Sequence, residues 1–166
     1  MKARICTLSI LAILACVVAG IHESRVSAAE TIIPEEELTV ERVKELFEAA
    51  FIKCEIDSDG DLKIEDGGLI TFVRIEKEKT LLSFFSLWAM KEDAPELQKL
   101  QLINSFNDDL IIVRFSLRNA TTLWCDYQLS FQDGMMPNQI VQSYRLFFKV
   151  VVGAVGTRDP ENLIGS

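Results

Sequence analysis

Histidine occurs once in this 166-residue chain, as His22, inside an N-terminal stretch that reads as a removable leader. Without it the remaining chain has no imidazole, which disfavours histidine-based triads and metal sites built on histidine. Cysteine is almost as sparse. Of the four, Cys6 and Cys16 fall in the leader, and Cys54 and Cys125 stand too far apart for a CxxC redox motif or a zinc knuckle. Basic charge is short as well: 17 Lys and Arg face 25 Asp and Glu. Neutralising phosphates needs clustered cations, so a nucleic-acid partner is not expected. The chain also lacks a phosphate loop, since Gly67 and Gly68 are followed by a strand-like run with no Lys-Ser/Thr. No internal repeat or low-complexity segment occurs.

Lys2 and Arg4 precede the apolar run from Ile5 to Ile21, and the small residues Ser27, Ala28 and Ala29 follow it. This is the three-part plan of a secretory signal peptide, with cleavage expected after Ala29. An uncleaved anchor, or a lipoprotein signal centred on Cys16, are the alternatives. A membrane is otherwise expected to be met only if the segment stays attached. Removal of residues 1–29 leaves 14 basic and 24 acidic side chains and a formal charge of −10. The expected location is the periplasm or the exterior. In such an oxidising compartment Cys54 and Cys125 could close a disulfide; both could equally be small buried hydrophobes.

Residues 30–38 read as a flexible lead-in containing Pro34. Thr39 is placed to cap a helix running to about Phe51, with Val40, Val43, Leu46, Phe47, Ala50 and Phe51 on one stripe. Turn signals at Asp57–Asp61 and Asp66–Gly68 then separate short alternating segments, and the runs 69–77 and 80–88 are rich in β-branched and aromatic residues. Asp93, Pro95 and Glu96 predict the start of a second helix, with an exit near Asn107 and Asp108. Residues 110–118 and 121–131 form a hairpin about Asn119 and Ala120. In its second strand Leu123, Cys125, Tyr127, Leu129 and Phe131 share one face, while Trp124, Asp126, Gln128 and Ser130 share the other. Pro137 opens a third helix with the stripe Ile140, Val141, Tyr144, Phe147, Phe148 and Val151, stopping near Gly153. The domain is expected over 39–153, with a flexible tail over 154–166.

This order predicts an α+β fold: an antiparallel sheet of about five strands with helices on one face. No catalytic group stands out. Asp57, Asp59 and Asp61 alternate like the start of a calcium loop, but the sixth and twelfth positions hold Leu62 and Gly68 instead of glycine and glutamate, so a solvent-exposed turn is expected. Among the aromatics Phe84, Phe85, Trp88 and Trp124, Trp124 is the candidate for a partner-binding surface, because its strand face is otherwise polar.

The segment from Thr39 to Val152 resembles the YbjN family of bacterial sensory-transduction regulators. The likeness is densest in "LQLINSFNDD", where Asn104 and Asn107 occupy the two asparagines typical of that helix end. It continues through "LIIVRFSLRNATTLWCDYQLSF" and "DGMMPNQI", with Gly134 and Pro137 leading into the closing helix. Phe106 stands where another aromatic, often tryptophan, is usual. The resemblance implies a fold like that of type III secretion chaperones, in the order α-β-β-β-α-β-β-α, and no catalytic site. The expected function is therefore an exported, non-enzymatic interaction or regulatory module without a cofactor, binding another protein or itself as a homodimer. The alternative is a periplasmic small-molecule or lipid-binding module.

Overall fold

A computed structural model describes residues 31–165. The expected leader, 1–29, lies outside the described residues.

The first helix, α1 (Val40–Ala49), starts as Thr39 predicts, its hydroxyl accepting the Arg42 N–H at 3.1 Å. It ends before its apolar stripe does. The Phe51 N–H bonds to Glu48 C=O at 3.0 Å and the Ile52 N–H to Phe47 C=O at 2.8 Å, the paired bonds of a Schellman ending. Phe51 takes the left-handed position at φ 62 and is 97% exposed, so it does not belong to the core.

Four strands follow: β1 (Cys54–Ile56), β2 (Leu62–Asp66), β3 (Leu69–Glu76) and β4 (Leu81–Ala89). Then come α2 (Glu96–Asp109), β5 (Arg114–Asn119), β6 (Thr122–Ser130) and α3 (Pro137–Thr157). All pairings are antiparallel, and the sheet order is β1-β2-β3-β4-β6-β5. Among the described residues the sheet thus has six strands rather than about five, the extra one being the three-residue β1.

Alternation along the strands sets the layers. Leu62, Ile64, Val73, Leu82, Phe84, Leu123 and Cys125 are buried on one face. There the Phe84 ring lies 6.3 Å from Phe147 and 6.5 Å from Tyr144, both on α3, and Tyr144 meets Phe47 of α1 at 5.3 Å. Phe106 of α2 packs edge-on to Phe115 of β5 on the same side, at 5.1 Å. The three α-helices of the described residues therefore share one face, and the core is the filled space between them and the sheet.

Further boundaries differ from expectation. Helix α2 begins at Glu96, without a capping box from Asp93: Pro95 sits at the cap in an extended conformation (ψ 136). The ring of Pro95 also disfavours a helical backbone at Ala94. Helix α3 runs through Gly153 to Thr157, because Val151 and Ala154 remain buried against the core on either side of that glycine. The terminal segments are docked, not loose. Ile33 and Met135 exchange two backbone hydrogen bonds of 2.9 Å, and Ile33 and Leu38 are buried. Gly134 makes this approach possible at φ +97, since a Cβ there would fall 2.5 Å from the Ile33 carbonyl oxygen. At the other end Leu163 and Ile164 are buried, Lys91 N–H donates to Leu163 C=O and Gly165 N–H to Ala89 C=O, each at 2.8 Å. The Asp159 carboxylate organises this strap by accepting the Leu163 and Ile164 N–H groups at 2.9 and 2.7 Å.

Candidate functional site

Among the described residues, no helix covers the second face of the sheet. On it Phe72 of β3, Phe85 of β4 and Trp124 of β6 form a column: Phe72 and Phe85 are stacked at 5.2 Å, and Phe85 and Trp124 at 4.7 Å with planes 12° apart. Register places them there. Phe72 lies directly across from Phe85, and Trp124 across from Leu87, two residues along the same face. Cations flank the column, the Arg74 guanidinium 5.0 Å from the Phe85 ring centre and that of Arg118 4.8 Å from Trp124.

Two of the face's arginines are held by carboxylates. Arg114 grips Asp126 with Nε and Nη2 at 2.9 and 3.0 Å, and the Trp124 indole N–H donates to the same carboxylate at 3.0 Å. Arg74 makes the same forked contact with Asp61. Asp61 and Asp126 are nearly buried, each 6% exposed at the side chain, yet their partners reach them from the solvent side. Arg118 has no carboxylate partner among the described residues. Ile70 and Leu87 add exposed apolar area beside the column. Because the rings cover one another's faces, the column offers edges and a cationic rim to a ligand rather than a free stacking platform.

Trp124 lies on this open face, half-buried within the column. The four aromatics considered together in the sequence are divided between the two layers: Phe85 joins Trp124, whereas Phe84 and Trp88 point to the helices. Phe72 completes the column and was legible only as the strand position opposite Val73. Apolar residues fall on both faces of residues 69–76, which hides the alternation.

The disulfide between Cys54 and Cys125 is not formed; both thiols are free. They sit on β1 and β6, four strand positions apart in the sheet order, and at ~4.8 Å per strand that separates them by roughly 19 Å, far beyond bonding range. Burial pushes the Cys125 thiol up to about 12 and also raises that of Cys54, so neither is an activated nucleophile. The aspartate turn is a local one, with Asp57 Oδ1 accepting the Asp59 and Asp61 N–H groups at 2.9 and 3.0 Å. Asp61 departs from the expected solvent-exposed setting because Arg74 draws it onto the sheet. No group of three or more His, Cys, Asp or Glu side chains is arranged to hold a metal ion among the described residues.

The two asparagines of α2 do different things. Asn104 bonds outward to Asp108 at 3.3 Å. Asn107 reaches β5: its amide donates to Phe115 C=O and its carbonyl accepts Phe115 N–H, both at 2.9 Å. A buried lysine on the same helix, Lys99, donates to Ala120 C=O at 2.6 Å and ties α2 to the β5–β6 turn.

A crystal structure of YbjN from E. coli superposes with a TM-score of 0.70 at 10% identity, covering 82% of this chain and 100% of that one. The type III secretion chaperone SycH from Yersinia pestis, solved in complex with a fragment of YscM2, gives 0.46 at 13% identity, covering 70% and 97%. The HopA1–SchA chaperone–effector complex gives 0.48 at 11%, covering 70% and 90%. No curated protein sequence matches the chain. Residues 39–152 match the family described as "Putative bacterial sensory transduction regulator". With the match spanning the first helix to the last, and the same fold in the E. coli protein, the chain belongs to the YbjN family.

Proposed function

We propose that this chain is an exported, non-enzymatic regulatory module that binds a protein segment across the open face of its sheet. The observation that carries the reading is the Phe72–Phe85–Trp124 column with Arg118 beside it; among the described residues no helix covers this face and no carboxylate pairs with Arg118. Aromatic and arginine side chains dominate binding energy where proteins meet, and here they are clustered on rigid strands. Family membership supports a regulatory role, and the leader plan of residues 1–29 supports export. The small-molecule alternative finds less support, since Phe47, Phe84, Tyr144 and Phe147 fill the space between helices and sheet in which such a module would hold an apolar ligand.

The test is affinity capture of the tagged full chain from crosslinked cells, alongside Trp124→Ala and Arg118→Ala variants. One envelope protein enriched by the wild type and lost with both variants is the expected result. Equal capture by all three would remove the open face from consideration. A mature N-terminus at Glu30, read by mass spectrometry, is expected from the same preparation; an intact leader in the cytoplasmic fraction would overturn export.

A further inference from the structure

Strand β5 is the last in the sheet order, so among the described residues one side of its backbone has no strand neighbour. Free edges of this kind invite pairing with another chain. Here the free side is occupied at one residue. The N–H and C=O of a strand residue point the same way, and those of Phe115 both engage the Asn107 side chain, each at 2.9 Å. They are therefore turned away from β6. Asn107 stands in for one residue of a neighbouring strand, held there by the last turn of α2.

The edge beneath this plug is self-complementary. An antiparallel pairing of two copies centred on Phe115 sets Arg114 opposite Ser116, so the arginines avoid each other. It sets Val113, in the bend that enters β5, opposite Leu117, apolar against apolar, and brings Ile112, in the same bend, toward Arg118 at the irregularity between Leu117 and Asn119. It also covers the segment that leads into β5, where Ile111 is 98% exposed and Ile112 41%. Pairing at this centre needs the Phe115 N–H and C=O, the same groups that Asn107 holds.

We propose that the Asn107 side chain is an autoinhibitory plug on a strand edge that otherwise joins two copies of this chain, β5 to β5. With Asn107 in place the edge is closed to a second copy. Release of the plug, by movement of the end of α2, opens it. The inference concerns the sheet's edge and not its aromatic column, and meets the open-face reading only at Arg118.

Sedimentation velocity over a concentration series tests it on the purified chain, with hydrogen exchange at the Phe115 amide as the local readout. Asn107→Ala is expected to lose Phe115 protection at low concentration and to form a species of twice the wild-type mass. Its apparent dimerisation constant is expected to tighten by roughly tenfold or more, the scale of one to two hydrogen bonds no longer competing. Ile112→Arg added to Asn107→Ala places like charges across the pairing and is expected to restore the wild-type mass. Wild-type mass at every concentration for Asn107→Ala, or a dimer indifferent to Ile112→Arg, overturns the proposal. Should Asn107→Ala lose its cooperative unfolding transition, Asn107→Asp carries the same test: it still accepts from Phe115 N–H but cannot donate to the carbonyl.

Discussion

Phe51 holds a left-handed backbone at φ 62 while burying almost nothing. That conformation crowds a Cβ against its own chain and is free of strain only for glycine. Phe51→Gly is expected to stabilise the fold by about 1 kcal/mol, read as a rise in the urea midpoint at constant slope; an unchanged or lower midpoint would show that the exposed ring contributes more than its backbone costs. Thr71 presents the opposite case, a buried hydroxyl without a hydrogen-bond partner among the described residues. Thr71→Val removes that polar atom at nearly constant shape, and a gain of about 1 kcal/mol is expected from the same measurement. Neither position was legible in the sequence: helical spacing placed Phe51 on the core stripe, and nothing local says where a threonine hydroxyl ends up. Trp124 was more readable, because its strand alternates polar and apolar residues clearly.

At the scale of elements, the terminal segments behave as parts of the fold. The strap after α3 buries Leu163 and Ile164 against the end of β4. Truncation after Arg158 is expected to destabilise the chain by about 3 kcal/mol, the order expected for exposing the apolar contacts of two such side chains, seen as a lower urea midpoint. A truncated chain with wild-type stability would mean that the strap rests on the surface without supporting it. Gly153 does not stop α3, because glycine lowers helix propensity by only about 1 kcal/mol, which the flanking buried residues Val151 and Ala154 readily outweigh. Asn107 shows a similar limit. Its place at a helix exit is visible in the sequence, whereas its bond to Phe115 spans two elements.

For the whole molecule, the buried phenol and thiol set the response to alkali. Burial pushes both Tyr144 and Cys125 up to about 12, from ordinary values of 10.0 and 9.0. In the unfolded chain they release protons near the ordinary values, while the folded chain keeps them. The folded state then binds more protons between about pH 9 and pH 12, and stability falls as pH rises through that window. A melting temperature that holds below about pH 9 and declines above it is expected, with a shallower decline in Tyr144→Phe. Equal slopes for wild type and variant would assign the alkaline loss to other groups. Cys125 should also resist a thiol reagent until the chain unfolds, as peptide mapping would show.

Composition and periodicity were enough to determine the fold class, the antiparallel strands, three helices on one face and the side of β6 that carries Trp124. Each depends on local pattern: a two-residue alternation, a 3.6-residue stripe, or a turn residue. Tertiary structure alone decided the rest. It separated Cys54 from Cys125 by four strand positions, carried Asp61 onto Arg74, assembled Phe72, Phe85 and Trp124 from three strands, and set Asn107 against Phe115. These contacts depend on strand order and register, which the packing of the core selects and which no short stretch of chain contains.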